Sequence, residues 1–251
     1  MCGYFVAANV RGFVFSLTLT AVLYMIWPWE TWRNNMGNII RQTTELAMHI
    51  VRAYVKPGDA VVDATCGNGK DTLALAQMNP ARLYAFDVQE GAVRETIKLL
   101  EENGFGDRLA DSGKGNPADE GFTGCRIAVR QLAHENLSEF FQNEEGAEAQ
   151  ETANPLTAVV FNLGYLPGGD KLITTKVETT IKAVQDAMEL IQKDGLVCIT
   201  MYSGHPEGKK EKAALLEFAG QLDSAKWHCA YISMPNQKND PPEILLITRK
   251  G

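Results

Sequence analysis

Val61–Thr72 reads VVDATCGNGKDT, and this stretch decides the fold. An apolar run, Ala60-Val61-Val62, ends in Asp63 and passes into a small-residue turn, Gly67-Asn68-Gly69. Asp71-Thr72 then open a second apolar segment, Leu73-Ala74-Leu75-Ala76, of helical character. The order strand, glycine turn, helix is the first unit of a nucleotide-binding α/β sheet. Glycine belongs in the turn because the backbone must bend sharply and admit a ligand closely. A second apolar run, Leu83-Tyr84-Ala85-Phe86, ends in Asp87, 24 residues after Asp63. An acid roughly 20 residues on is placed to grip ribose hydroxyls.

The turn is not built for a phosphate. Neither G-x-G-x-x-G nor G-x-x-x-x-G-K-[ST] is present; the loop reads D-x-x-x-G-x-G from Asp63 to Gly69. A carboxylate at the strand end repels a pyrophosphate and suits a cationic ligand. S-adenosylmethionine carries an ammonium, a sulfonium and a ribose, and no phosphate. The pattern resembles that of the class I methyltransferases. A bare glycine turn in an unrelated α/β protein is the plainer alternative.

At 251 residues the chain is long enough for a substantial core, and one domain is the default. Its five cysteines form no C-x-x-C pair. Cys125, Cys198 and Cys229 fall in apolar runs, so buried free thiols are expected rather than disulfides or a zinc site. The net charge of −7 speaks at first against nucleic acid. Residues 101–155 alone carry twelve acids and four bases, so the remainder sums to about +1 (−7 less −8) and is compatible with a local basic patch.

Residues 1–35 stand apart. Phe13–Trp29 is nearly all apolar, slightly short for a membrane span and poor as a signal peptide. A membrane anchor, a targeting segment and an untranslated upstream extension all remain open. Met36, directly before an amphipathic segment at Asn38–Tyr54, favours the third and sets the domain at 36–251. Beyond it the chain alternates. Helices are expected at about Glu90–Asn103, Thr174–Gln192 and Glu207–Leu222, the second stopping at Asp194-Gly195. Strands are expected at Arg126–Gln131, Leu156–Leu163 and Leu196–Tyr202, and a terminal pair at Lys226–Ser233 and Glu243–Arg249. Residues 104–124 and Phe141–Asn154 read as acidic loops. The outcome is a mixed, mostly parallel sheet with helices on both faces and an antiparallel C-terminal strand pair.

The fourth strand runs into Asn162-Leu163-Gly164-Tyr165-Leu166-Pro167-Gly168-Gly169-Asp170-Lys171. Methyltransferases of exocyclic amines often carry N-P-P-Y there, and Asn-Leu-Gly-Tyr is similar in outline. An amide oxygen can accept an amine's hydrogens and aim its lone pair without adding charge. An aromatic ring can stack on a flipped base. Together with DATCGNGKDT, FDVQE and Tyr202-Ser203-Gly204-His205-Pro206-Glu207-Gly208-Lys209, this segment closely resembles a bacterial family labelled rRNA methylases. The likeness runs over about Asn38–Lys250, apart from residues 104–124 and 143–154.

The resemblance implies a Rossmann-like, seven-stranded methyltransferase fold and S-adenosylmethionine as cofactor. It implies N-methylation of 5-aminomethyl-(2-thio)uridine at the tRNA wobble position in the cytoplasm. Methylation of rRNA or of a small amine, and a non-catalytic cofactor-binding module, are the alternatives. By the resemblance, Asp63, Gly67, Asn68, Gly69 and Asp71 form the methionine loop, Asp87 binds the ribose, and Gln89 and His134 border the adenosine. Asn162 and Tyr165 face the amine, and Tyr202, His205, Asn236 and Gln237 shape the base pocket. His205 is either a general base or a capping histidine before Pro206. The family usually has a polar residue before this histidine at 134; here it is Ala133, which leaves one cofactor hydrogen bond in doubt. Lys171 and Lys209, with Lys176, Lys210 and Lys212, either meet tRNA phosphates or form a solvated face. The expected partner is the tRNA anticodon region; a homodimer stays open, and no metal is expected.

Overall fold

The computed structural model describes residues 42–110, 125–143, 156–164 and 174–251, with the backbone of two short strands near the N-terminus. It falls into two units, Met1–Gln42 and Thr43–Gly251. In the first, strands Ala8–Val10 and Phe13–Phe15 pair antiparallel, Ala8 opposite Phe15. The rest of the apolar Phe13–Trp29 run lies outside the described residues. Among the described residues no helix is long and apolar enough to cross a membrane.

The second unit is a seven-stranded sheet. Its strands are β1 (Ala60–Asp63), β2 (Arg82–Asp87), β3 (Arg126–Gln131), β4 (Leu156–Leu163), β5 (Ile191–Met201), β6 (Trp227–Ile232) and β7 (Glu243–Arg249). Their order is β3-β2-β1-β4-β5-β7-β6. The first five run parallel; β7 is antiparallel to both β5 and β6. The order reverses between β1 and β4, so the switch point opens beside the glycine loop, at the carboxyl ends of the strands.

Among the described residues six helices cover the sheet: α1 (Thr43–Tyr54), α2 (Lys70–Ala76), α3 (Glu90–Glu102), α4 (Leu137–Gln142), α5 (Val177–Leu190) and α6 (Pro206–Gly220). Side chains alternate across each strand. Val61, Leu83 and Ala85 face a core with Ala47, Val51, Leu75 and Leu100 of α1–α3. Val62, Tyr84 and Phe86 face the opposite core with Leu137, Ala183, Val184 and Leu215 of α4–α6. Burial on both faces explains why the parallel strands read as continuous apolar runs.

Three expectations are corrected. The helix expected to end at Gln192 ends at Leu190, and β5 begins at Ile191 rather than Leu196. Leu156 pairs with Ile191 and Ala158 with Leu196, so the residues between Ile191 and Leu196 bulge from the strand. Asp194, at φ 60, and Gly195 form that bulge; they are turn residues inside a strand rather than ahead of it. Phe141, read as part of an acidic loop, belongs to α4 and is buried. It meets Tyr84 and Phe140 edge to face at centroid distances of 5.1 Å each. A six-residue helix has little stability of its own, and this aromatic packing holds it. Cys229 is exposed on β6, whereas Cys66, Cys125 and Cys198 are buried. Burial pushes the Cys125 and Cys198 thiols up to about 12. Within the acidic 104–124 stretch, Gly106–Arg108 forms a 3-10 turn and Leu109 bridges to Ile127. Residues 111–124 and 144–155 lie outside the described residues.

Candidate active site

The carboxyl ends of β1, β2, β4 and β5 and the segment after β3 open into one cleft of about 890 Å³. The glycine loop forms its floor. Gly67 and Gly69 adopt left-handed φ values of 52 and 78. A Cβ on Gly69 would lie 2.9 Å from Thr96 Cα on α3. That glycine therefore serves the packing of α2 on α3 as much as any ligand. Thr96 Oγ1 also donates to the Gly67 carbonyl at 3.2 Å.

Asp63 has no surface on the cleft. It is fully buried beneath the loop, accepting from Thr72 Oγ1 at 2.6 Å and from Thr65 N at 3.3 Å. Burial, then the Asp71 charge, push its carboxyl up to about 7. Its expected place in the cofactor site is thus an indirect one, through the shape of the loop. Gly69 likewise does not line the cleft. Asp87 does. Its two oxygens accept from Gly67 N at 3.0 Å and Gln89 N at 2.9 Å, which ties the end of β2 to the loop. Burial raises this carboxyl too, against those backbone bonds. Gln89 and Asn68 reach the same cleft.

His134 lines the same cleft, edge-on to Phe161 at 6.3 Å. Burial drives its imidazole below its ordinary range, so it is neutral near pH 7. Its Nε2 has no hydrogen-bond partner among the described residues.

Asn162 and Asp71 form the central pair. Asn162 Nδ2 donates to Asp71 Oδ2 at 2.6 Å across 91 residues of sequence. Its backbone N–H donates to Thr65 Oγ1 at 2.7 Å. With Nδ2 committed to Asp71, the Oδ1 atom is the free end of the amide. It is buried and without a hydrogen-bond partner among the described residues. A buried acceptor left unmatched is costly unless a ligand completes it. Burial raises the Asp71 carboxyl, opposed first by the Asn162 bond. Asp71 and Asp87 line the cleft with that free acceptor. This donor and acceptor set fits a cationic, phosphate-free nucleoside such as S-adenosylmethionine.

His205 is the N-cap of α6. Its Nδ1 accepts from Gly208 N at 3.1 Å, and Pro206 follows it into the helix. A neutral imidazole that accepts at Nδ1 carries its proton on Nε2. His205 thus caps α6 while also lining the cleft. Gly208 is required beside it, because a Cβ there would sit 2.0 Å from the Tyr202 carbonyl. Tyr202 lines the cleft, and burial, then the Asp71 charge, raise its phenol.

The structure does not bring every expected residue to the cleft. Asn236 and Gln237 are exposed in the β6–β7 connection and do not line it, whereas Asp240 of that connection does. Lys209 pairs with Asp240 at 3.2 Å, Lys210 pairs with Glu207 at 2.8 Å, and Lys212 pairs with Glu243. The Lys209 and Lys210 pairs are exposed and weakly held, so a phosphate can compete for them, whereas the Lys212–Glu243 pair is partly buried. Tyr165 and Lys171 lie outside the described residues. Thr44, Thr65, Lys70, Thr174 and Thr175 line the cleft without having been singled out. Of these only Thr65 and Lys70 carried a local signal, as members of the glycine loop. Among the described residues no group of His, Cys, Asp and Glu could hold a metal ion.

Comparison with known proteins shows the family and the fold. The family model described as "Putative rRNA methylase" matches residues 83–248. A tRNA (mnm(5)s(2)U34)-methyltransferase of Arabidopsis thaliana chloroplasts is 30% identical over 84% of this chain and 71% of its own. An rRNA-methylase structure from Clostridium thermocellum superposes with a TM-score of 0.69 at 33% identity, over 84% of this chain and 98% of that one. A Streptococcus mutans methyltransferase solved with SAH gives a TM-score of 0.65 at 27% identity, over 84% and 99%.

Proposed function

The chain belongs to the rRNA methylase family of S-adenosylmethionine-dependent methyltransferases, and on that premise we propose that it methylates the 5-aminomethyl group of (2-thio)uridine at the tRNA wobble position. The product is the 5-methylaminomethyl nucleoside. The observation that carries this reading is the cleft-lining Asn162 amide, held by Asp71, with its Oδ1 buried and without a hydrogen-bond partner among the described residues. The likeness to a tRNA wobble-uridine methyltransferase supports the choice of substrate.

When bound, S-adenosylmethionine supplies an electrophilic methyl group on a sulfonium. Asp87 holds the ribose hydroxyls, and the 67–69 loop and Asn68 cradle the methionine end. Gln89 and His134 border the adenosine. The neutral His134 adds no charge to repel the cation. On the other side, Asn162 Oδ1 accepts a hydrogen of the amine and turns its lone pair toward the methyl carbon. The amine held there would be methylated by the group the cofactor supplies, and its surplus proton would pass to water. No residue need act as base, which agrees with the capping role of His205. Tyr202 and Tyr165 flank the base, and Asn236, Gln237, Lys171 and Lys209 approach the surrounding nucleotides. On this reading the working compartment is the cytoplasm.

The test incubates the full chain with methyl-labelled S-adenosylmethionine and tRNA bearing 5-aminomethyl-2-thiouridine, followed by digestion and mass spectrometry of the nucleosides. A gain of one methyl on that nucleoside is expected. Label appearing instead on rRNA or on a small amine overturns the substrate, and bound cofactor with no transfer to any acceptor overturns the enzyme reading of the site.

A further inference from the structure

Glu211 of α6 is a buried acid with no part in the chemistry above, and its relative exposure is 2%. Its Oε1 accepts from Thr180 Oγ1 of α5 at 2.6 Å. Its Oε2 accepts from Thr175 Oγ1 at 2.7 Å. Thr175 passes the connection on. Its Oγ1 accepts from Gly164 N at 2.9 Å, and its own N–H donates to the Gly164 carbonyl at 3.1 Å. Gly164 lies two residues after Asn162, and its φ of 133 is one that side-chain-bearing residues avoid. Gly164 and Thr175 both line the cleft with Asn162, Tyr202 and His205.

A buried carboxyl is costly unless its oxygens are matched. Burial raises this one, and the Thr180 and Thr175 hydroxyls oppose that rise. Anchoring α6 to α5 would need only the Thr180 bond. The second oxygen is spent on a hydroxyl whose remaining bonding goes to the backbone beside Asn162. As a carboxylate Glu211 can only accept, so Thr175 Oγ1 donates its hydrogen to Oε2 while a lone pair receives the Gly164 N–H.

We propose that Glu211 is a positioning residue for the methyl acceptor, acting through Thr175 and Gly164 on the strand end that presents Asn162. This deepens the function proposed above and rests on it. A glutamine at 211 can keep the relay: its amide oxygen accepts from Thr175, and its amide nitrogen donates to Thr180. Methionine at 211 keeps the bulk and loses the relay. Thr175→Val cuts the next link and leaves the Glu211–Thr180 bond in place.

The experiment measures steady-state kinetics with tRNA bearing 5-aminomethyl-2-thiouridine, and cofactor affinity by calorimetry, for the full chain and its variants. Glu211→Met and Thr175→Val should each lower kcat/KM for the tRNA by about tenfold or more, while S-adenosylmethionine affinity stays within about twofold. Glu211→Gln should stay within about threefold of the parent protein. The double variant Glu211→Met/Thr175→Val should be no worse than the poorer single, because both cut one chain of contacts. Thr180→Val should leave acceptor kinetics unchanged. Multiplying effects in the double variant, or parent-like kinetics in Thr175→Val, overturn the relay even if Glu211→Met fails to fold. No turnover in the parent protein overturns the substrate reading and the positioning role with it.

Discussion

Asn162, Asp87 and Asp63 show how differently three polar side chains at strand ends are used. Asn162 lines the cleft and keeps a buried acceptor that is unmatched among the described residues. Asn162→Ala is expected to reduce turnover by a factor of at least about 100 while cofactor affinity, measured by calorimetry, changes only a few-fold. Unchanged turnover would sink its assignment as the amine's acceptor. Asp87 has its two oxygens on backbone N–H groups and still lines the cleft. Asp87→Ala removes two charge-assisted hydrogen bonds to a ligand, at roughly 1.5–3 kcal/mol each, and should weaken the cofactor by at least about tenfold. An unaffected dissociation constant would mean that the cofactor lies elsewhere. Asp63 works through burial. Its carboxyl moves from an ordinary 3.8 to about 7 on folding, so the neutral form is favoured in the folded state. Its contribution is therefore fully present below about pH 4 and is lost as the pH rises toward 7. Urea unfolding of the parent protein and Asp63→Asn at several pH values should show the parent's relative stability falling across that window, by a few kcal/mol on the order of its shift. A difference that is flat or rises with pH would contradict the burial argument.

At the scale of elements, the glycine loop and α2 depend on a helix that sequence does not place beside them. Gly69, at φ 78 and against Thr96 Cα, combines backbone strain with a steric clash when a Cβ is added. Gly69→Ala should destabilise the fold by about 2–4 kcal/mol, seen as a lower urea midpoint. Gly91, in α3 with nothing within 4 Å of its Cβ position, is the contrast. Gly91→Ala should be neutral or stabilise by about 0.5–1 kcal/mol. Equal responses at the two positions would mean that the Thr96 contact does not constrain the loop. Element boundaries were legible wherever β-branched runs end at glycine, proline or aspartate, as in Arg126–Gln131, Leu156–Leu163 and Glu243–Arg249. They were misread at Ile191 and Phe141. The Asp194-Gly195 pair has the composition of a turn whether it precedes a strand or bulges from it. An acidic neighbourhood likewise hides one aromatic residue whose partner across the fold, Tyr84, is more than fifty residues away.

For the whole molecule, the expectation of a domain at residues 36–251 is open to direct test by truncation. A protein truncated to begin at Met36 should unfold cooperatively and bind S-adenosylmethionine within about twofold of the full chain, by denaturation and calorimetry. Loss of either property would make the N-terminal residues part of the fold. By itself the sequence determined the strand–turn–helix order, the acids at the ends of β1 and β2 and the amide at the end of β4, because these follow from local periodicity and short spacing. Tertiary structure alone decided what each polar atom faces. Asp63 proved sealed beneath the loop, His205 proved a helix cap, and Lys209 proved paired. The amide of Asn162 acquired a direction only when Asp71, 91 residues earlier, took its nitrogen. Side-chain chemistry in a folded protein is set by desolvation and by partners distant in the chain, and neither is written in the spacing of neighbours.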